Sequence, residues 1–318
     1  MKRYFSIAIC SLLFIAAALW PQIVAESCRS GMSICARSIL PSLFPFFVLC
    51  GMMSRMGLAD SLGRMIAPLA RKLYGVSGAG ATALAVGLTG GYPMGAAYIA
   101  QLRRQELISA DEGESLLAFC NNSGPAFIIG AIGSGALGSG KMGIYLYFCH
   151  IASALICGLF FRRKPQSDKE SPSPAAAMTL SQALPPAVRS AVSACFNVCG
   201  FVVSFTVFTA LLDIGGYFSR ICSALGRSSG MGSAFFRAAL TGILELGSGA
   251  AAVQLLSPSP LVLALAAAML GWGGLSVQFQ TRAVLDDCDI KGALHLAGRL
   301  ISASISMLLA YCFSFVVL

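Results

Sequence analysis

Apolar residues fall into two kinds of run along this chain, and both kinds have helical length. Long runs have the length and composition of membrane-spanning helices. They cover residues 1–25, 39–57, 142–161, 191–214 and 293–318. Other apolar runs are interrupted by glycine, proline or polar residues, at 78–101, 119–138, 231–256 and 260–280. Because no strand-length alternation of the barrel type appears, the pattern predicts an all-α polytopic membrane protein.

The two halves of the chain repeat each other 152 positions apart. The run GLTGGYPMGAA (87–97) aligns with ALTGILELGSGA (239–250), and FCNNSGP (119–125) aligns with GWGGLSV (271–277). Two related halves with interrupted apolar segments are typical of transporters whose binding site lies between inverted repeats. The alternative is that these glycines serve only the close packing of helices.

Basic clusters predict which ends of the helices lie in the cytoplasm. Arg71-Lys72, Arg103-Arg104 and Arg162-Arg163-Lys164 all lie inside only if the broken run 78–101 enters and returns on one side. Re-entrant backbone is tolerated where it is buried in protein or lines a wet cavity. We therefore expect two inverted-topology repeats with broken or re-entrant helices, preceded by one extra N-terminal helix. The expected parts are that helix (1–29), a first repeat (30–161), a cytoplasmic linker (162–184) and a second repeat (185–318), with 26–38 as a short external segment.

Composition agrees with a membrane protein. Of 318 residues 57% are apolar and 11% are charged, and the mean hydropathy is +0.78, whereas soluble domains have about 25% charged residues. The sequence therefore predicts a multi-pass membrane protein, with the lipid bilayer as its main partner. The net charge of +9 lies at the ends of apolar runs, which indicates orientation rather than nucleic-acid binding.

Catalytic and metal-binding patterns are not visible in the sequence. The twelve cysteines and two histidines show no zinc spacing, so we expect no metal and no cofactor. No nucleophile–base pair or phosphate loop appears either, so the chain is not predicted to be an enzyme.

Glu245 is the sharpest candidate for a functional residue. It lies near the middle of an apolar run, where a charged side chain costs about 2.5–3.5 kcal/mol on insertion scales. Its neighbours at helical spacing are Thr241, Ser248 and Gly249, so we expect one polar stripe on a helix. Such a stripe binds a cation, a proton or a polar group of a substrate. The alternative is a structural hydrogen bond from Glu245 to a broken helix of the other repeat.

The first half offers exposed backbone as its candidate site. Pro93 has no amide donor, which frees the carbonyl of Thr89 from its helical bond. Three nearby glycines leave backbone open to a ligand: Gly90, Gly91 and Gly95. Freed carbonyls attract cations, and the N-terminus of the next half-helix attracts anions. Tyr92 is expected either to contact a ligand or to pack in the interior.

Two adjacent amides form the other candidate of the first half. Asn121, Asn122 and Ser123 precede Pro125, and amides at membrane depth are costly unless they bond to protein, water or substrate. Asn122 is also expected to cap the half-helix that starts near Pro125. The repeat mate is expected to line the same cavity, or to serve helix packing, with Gly273, Gly274, Ser276 and Gln278.

Four motifs carry a resemblance to a known family. They are PSLFPFFVL (41–49), GGYPMGA (90–96), FCNNSGPAF (119–127) and GGLSVQFQ (273–280). Together they resemble the Gate, or nucleoside-recognition, family and within it the YlbJ family of sporulation integral membrane proteins, from about residue 30 to the end. Gly90 stands where the family usually has serine. The resemblance implies a spore-forming bacterium, a role in spore cortex or envelope formation, and kinship with concentrative nucleoside transporters and a ferrous-iron transporter.

The resemblance supplies no substrate, and two functions follow as alternatives. One is a transporter-like protein that binds an unknown polar substrate or coupling ion between the broken elements. The other is a non-transporting scaffold that assembles other sporulation membrane proteins.

The linker gives the first testable prediction. Residues 164–182 are rich in serine, proline and charge and bury too little apolar area to offset the entropy of ordering, so we expect a poorly ordered cytoplasmic segment. Protease added outside intact cells should leave it uncut. Cleavage within it under those conditions would reverse the orientation derived from the basic clusters.

Overall fold

The structure, a computed structural model, describes residues 2–164 and 178–318, and its regular elements are helices. The first half contains α1 (Lys2–Leu19), α2 (Pro21–Ile34), a π-helix (Cys35–Ile39), α3 (Leu40–Arg55), α4 (Leu58–Tyr74), α5 (Gly78–Thr89), α6 (Met94–Arg104), α7 (Ala110–Cys120), a second π-helix (Ala126–Ala136) and α8 (Gly140–Phe160). The second half contains α9 (Leu180–Leu212), α10 (Tyr217–Ser229), α11 (Ser233–Leu244), α12 (Leu246–Val253), α13 (Pro260–Trp272), α14 (Gly274–Val284), α15 (Ala293–Cys312) and a short 3-10 helix (Ser314–Val316). The all-helical prediction is confirmed.

Within the described residues five helical segments are long and apolar enough to cross a membrane. They are Pro21–Arg55, Gly140–Phe160, Leu180–Leu212, Pro260–Val284 and Ala293–Cys312. The chain is therefore a multi-pass membrane protein.

The expected short segment at 26–38 is not separate from the helices around it, because α2, the first π-helix and α3 run on as one helix of 35 residues. The polar residues of this stretch do not break the helix. Its small residues lie four positions apart on one buried face: Ser27, Gly31 and Cys35. A Cβ added to Gly31 would lie 2.9 Å from the Cα of Val203 in α9. The segment is thus helical because that face packs against another helix.

The two longest helical segments, Pro21–Arg55 and α9, cross in opposite directions. Gly31 contacts Val203 near one end, and Gly51 approaches Ala187 near the other. Residue numbers therefore increase along one helix in the direction in which they decrease along the other. Inverted repeats require this antiparallel arrangement. A helix of 33 or 35 residues is about 50 Å long and exceeds the roughly 30 Å of bilayer hydrocarbon. Both segments must therefore tilt or project from it.

The linker prediction falls largely outside the described residues, since 165–177 are not described. At its C-terminal end, α9 starts at Leu180, five residues before the expected second repeat at 185. Thr179 and Gln182 form a reciprocal capping box there. Such a box satisfies two amide donors of the first turn, so it fixes the start of the helix.

Two of the four interrupted runs, 78–101 and 231–256, are pairs of short helices. The segments α5, α6, α11 and α12 have 12, 11, 12 and 8 residues, so each is about 18 Å long or less and too short to cross the hydrocarbon. In the first hairpin, Cβ atoms added to Gly87 and Gly95 would both collide with the carbonyl oxygen of Cys120. In the second, a Cβ added to Gly249 would lie 2.4 Å from the Cα of Gly242. Each chain segment therefore turns back on itself.

Helix ends recur at the offset that the sequence shows. Cys120 ends α7 and Trp272 ends α13 (272 − 120 = 152), while Phe160 and Cys312 end α8 and α15 (312 − 160 = 152). The unwound residues after Cys120 thus have a counterpart at Gly273. The repeat in sequence corresponds to a repeat in the placement of helix ends.

Close packing of α15 on the end of α7 gives a stability prediction. A Cβ added to Gly298 would lie 2.1 Å from the carbonyl oxygen of Ala118, whereas one added to the exposed Gly200 of α9 would meet nothing within 4 Å. Gly298→Ala should therefore destabilise the protein by about 1–3 kcal/mol through overpacking. Gly200→Ala should be neutral or slightly stabilising, because alanine favours helix. Thermal unfolding in detergent compares the two, and equal transition temperatures would contradict the tight contact.

Candidate binding site between two broken hairpins

The hairpin tips meet the two unwound segments. Gly91, at the tip of the first hairpin, has φ +79°, and a Cβ there would lie 2.9 Å from the amide nitrogen of Gly124. Gly274, which begins α14, has φ +84°, and a Cβ there would lie 3.0 Å from the amide nitrogen of Leu246. Only glycine combines this backbone conformation with so close an approach. The glycines that the sequence singled out therefore allow each hairpin tip to contact an unwound segment closely.

Glu245 lies at the break of the second hairpin rather than inside a helix. Its backbone is extended (φ −148°, ψ 123°), so the predicted stripe of Thr241, Ser248 and Gly249 on one helical face is wrong. The side chain is 3% exposed and accepts hydrogen bonds from the amides of Gly247 (2.8 Å) and Ser248. A carboxylate at a helix N-terminus satisfies orphan amides and is stabilised by the helix dipole. The cost of burying Glu245 is thus offset by capping α12.

The other members of the expected stripe have separate roles. The backbone carbonyl of Thr241 accepts a hydrogen bond from the amide of Glu245. The hydroxyl of Ser248 lies 3.1 Å from the hydroxyl of Thr206. Gly249 packs against Gly242.

The two amides of the first half are satisfied within the protein. Asn121 accepts a hydrogen bond from the amide of Ala96 at 3.3 Å and donates to the hydroxyl of Thr281 at 2.9 Å. Asn122 donates to the carbonyl of Phe119 at 2.7 Å, so it caps the end of α7. The expected cap on the following half-helix is wrong, because that helix has no side-chain cap and the side-chain oxygen of Asn122 accepts from Arg299 instead.

Arg299 is a central residue that the sequence analysis did not identify. It lies in α15, is fully buried, and donates to the hydroxyl of Tyr92 (3.0 Å) and the side-chain oxygen of Asn122 (3.2 Å). Its other terminal nitrogen donates to the carbonyl of Ala118 at 3.0 Å. The signal was present, because a charged residue in the apolar run 293–318 meets the rule that selected Glu245.

Tyr92 joins the first hairpin to the second repeat. Its hydroxyl accepts from Arg299 and donates to the carbonyl of Leu270 near the end of α13, at 3.3 Å. Its ring contacts Gly273, with 3.2 Å between the ring and a Cβ added there. Of the two expectations for Tyr92, the packed role is met, and its side chain also borders a cavity.

That central cavity has a volume of about 50 Å³, enough for a few water molecules. Its polar lining comes from both halves of the chain: Tyr92, Ser123, Glu245 and Gln280. Apolar residues of the long helices close it, among them Ile39, Leu43, Val198 and Val202. The Ser123 hydroxyl has no hydrogen-bond partner among the described residues. The structure thus places Glu245, Tyr92 and Ser123 around one space.

Two further cavities lie on either side of the central one along the long helices. One, of about 290 Å³, is lined by Arg55, Ser190, and the predicted residues Thr89, Gly90 and Pro93. The other, of about 490 Å³, is lined by Glu26, Asp213, Arg237, and the predicted residues Thr241 and Ser248. Along α9 the lining moves from Ser190 and Ala194 to Val198 and Val202 and then to Thr206 and Asp213. The three cavities therefore follow one another along α9 from Ser190 to its C-terminal end.

The remaining predicted residues lie beside the cavity rather than in its wall. Gln278 donates to the carbonyl of Trp272 at 3.1 Å, so the expectation that it faces the cavity is wrong and Gln280 takes that place. Ser276 is buried close to the Glu245 carboxylate, yet no hydrogen bond of normal geometry joins its hydroxyl to a described residue. Gly95 packs against the end of α7. In the described ranges no group of three or more His, Cys, Asp or Glu side chains is placed to hold a metal ion.

Comparisons with known proteins identify relatives at the level of sequence and of fold. A family model named Gate, described as nucleoside recognition, matches residues 36–162. The sporulation integral membrane protein YlbJ of Bacillus subtilis (strain 168) is 30% identical over 309 residues, which cover 88% of this chain and 75% of that protein.

Solved structures of CNTnw share the fold. A variant in an outward-facing state superposes with a TM-score of 0.59 at 14% identity, covering 99% of this chain and 85% of that one. An inward-facing, substrate-bound state gives a TM-score of 0.54 at 15% identity, covering 99% and 84%. At this identity the likeness shows the fold alone.

The bond between Asn121 and Thr281 gives a prediction about how the repeats are held together. Asn121→Ala and Thr281→Ala should each lower stability, and the double variant should lose less than the sum, with a coupling of about 1 kcal/mol. Thermal unfolding of the four proteins measures the coupling. Asn197→Ala, at an exposed amide of α9, is the control and should change little. Strict additivity of the two buried changes would show that this bond contributes nothing.

Proposed function

The chain belongs to the YlbJ family of sporulation integral membrane proteins, and on that premise we propose that it moves a polar solute across the membrane. One observation carries the proposal: three cavities follow one another along α9, and the middle one lies between the hairpin tips. A ligand site enclosed between two vestibules is what alternating access requires. The likeness of the fold to that of CNTnw, which has been solved in outward-facing and inward-facing states, agrees with this proposal.

Glu245 is proposed as the ligand-binding or proton-binding group of this site. Both carboxylate oxygens already accept amide hydrogen bonds, and each retains lone pairs for a further donor. The carboxylate borders the central cavity together with the unpartnered Ser123 hydroxyl. A hydroxyl, an amine or a proton of a solute meets suitable acceptors there.

The two repeats are proposed to be inverted, with approximate limits of 30–161 and 185–318. Support comes from the antiparallel crossing of the long helices. A second antiparallel pair is α8 with α15, where Cys157 contacts Gly298 and Tyr145 bonds to the carbonyl of Ala310. Breaks from both repeats then face one cavity.

A role in sporulation is proposed from the name of YlbJ, and the family resemblance narrows it to spore cortex or envelope formation, with other sporulation membrane proteins as partners. A second candidate is a membrane scaffold that assembles such proteins without transport. The small central volume of about 50 Å³ favours this candidate, because a solute larger than a few waters requires the hairpins to move.

Substitution of Glu245 separates transport from scaffolding. Glu245→Gln keeps the side-chain shape but removes the charge, and a charge-assisted hydrogen bond contributes about 1.5–3 kcal/mol. Uptake into proteoliposomes, screened with envelope precursors, nucleosides and inorganic ions, should fall about tenfold or more. Heat-resistant spores should fall in parallel in a host that depends on this chain.

The matched control is Asp287→Asn, at an exposed carboxylate after α14. It should leave uptake and spore yield unchanged. Protein level and transition temperature are measured for both variants, so that loss of folded protein is not mistaken for loss of transport. Full spore yield with Glu245→Gln at normal level would favour the scaffold.

A further inference from the structure

Arg299 is a buried positive charge that is not paired with a carboxylate among the described residues. Arg103, Arg163 and Arg237 each pair with a carboxylate, and each of these side chains is at least partly exposed. Arg299 is 0% exposed, and its partners are a phenol, an amide oxygen and a carbonyl. A buried charge is costly unless something of opposite sign faces it. The origin of that compensation decides what Arg299 does.

Two helix C-termini supply the compensation. The carbonyl of Ala118, in the last turn of α7, accepts directly from Arg299. The carbonyl of Leu270, in the last turn of α13, is reached through the hydroxyl of Tyr92. Each C-terminus carries a partial charge of about −0.5, so the two together offset roughly one positive charge. The partial negative charges around Arg299 are therefore about what a single monovalent cation needs.

The neighbouring side chains leave few free oxygens at the end of α7. His295 bonds to the carbonyl of Leu117 at 3.0 Å, and Asn122 takes that of Phe119. Gly298 allows α15 to approach so closely that a Cβ there would collide with Ala118. The close packing of α15 on α7 thus places the guanidinium of Arg299 next to the carbonyl of Ala118.

We propose that Arg299 is a resident cation that takes the place of a bound sodium ion in this protein. In transporters with broken helices, unwound carbonyls and half-helix C-termini coordinate the coupling sodium ion. Here the planar guanidinium reaches acceptors on the first hairpin tip, the unwound segment and the end of α7 at once. The central site therefore operates without sodium, and Arg299 acts as a positioning residue that holds Tyr92 at the cavity wall. That a ligand binds in this cavity rests on the proposed function, whereas the role of Arg299 as the resident cation does not.

The wild-type protein gives the first test. Its transition temperature in detergent is measured in NaCl, LiCl, KCl and choline chloride at equal ionic strength. The expected result is the same temperature in all four salts, because the cation position is filled by the chain itself. A saturable rise with sodium or lithium would overturn the proposal. No transported ligand is needed, so this result is independent of the outcome for Glu245→Gln.

Chemical rescue gives the second test. Arg299→Ala should lower the transition temperature by more than about 5 °C, and millimolar guanidinium should restore at least half of the loss with saturation. Arg104→Ala is the matched control, because Arg104 also donates to a carbonyl, that of Val284, but is exposed. Rescue no greater than that of the control would show that the Arg299 side chain only fills space, which overturns the proposal.

A conservative variant covers the case in which Arg299→Ala does not fold. Arg299→Lys keeps the charge but not the fork, so it should be less stable than wild type and equally insensitive to sodium. Acquired sodium dependence in Arg299→Lys would contradict the resident charge as the reason for independence.

Discussion

Broken backbone at membrane depth must find its hydrogen-bond partners inside the protein, and the rest of this structure depends on that constraint. Each break is closed by a side chain that another part of the chain supplies, or by the residue at the break itself. Asn121 satisfies the first turn of α6, Glu245 satisfies the first turn of α12, and Trp272 donates to the carbonyl of Ile243 at the end of α11. The hairpins and unwound segments are therefore stable only when they are assembled together.

This mutual satisfaction explains why polar groups collect at the seam between the repeats. Asn121 in the first repeat bonds to Thr281 in the second, and Tyr92 bonds to Leu270 and Arg299. Polar side chains spread over separate lipid-facing surfaces would each incur a desolvation cost of several kcal/mol. Gathered at one place they satisfy each other and leave a small polar space between them. The candidate site is thus a consequence of folding broken helices in a membrane.

The sequence predicted the breaks well and the directions of side chains poorly. Gly90, Gly91 and Pro93 mark the break of the first hairpin, and the repeat offset indicates a second break in 231–256, although Glu245 was expected inside a helix and lies at that break. The helical state of 26–38 was missed because its small polar residues face α9, a contact that no local pattern reveals. Gln280 rather than the predicted Gln278 lines the cavity, because the face that a residue presents depends on where α14 restarts, at Gly274. Arg299 could have been found by applying the rule for intramembrane charges to every apolar run.

The repeats share a backbone plan but differ in how each hairpin tip is stabilised. Pro93 and Glu245 are mates at the offset (245 − 93 = 152), and both lie at a tip. Proline removes an amide donor that would need a partner, whereas glutamate supplies the acceptor that such donors need. The first tip consequently has no charged residue of its own, and Arg299 donates a hydrogen bond to its Tyr92. The second tip has the carboxyl group of Glu245. One half therefore presents a phenol that is hydrogen-bonded to Arg299 and the other a carboxyl group that caps a helix, so the two sides of the cavity differ in a way that the repeated backbone alone would not give.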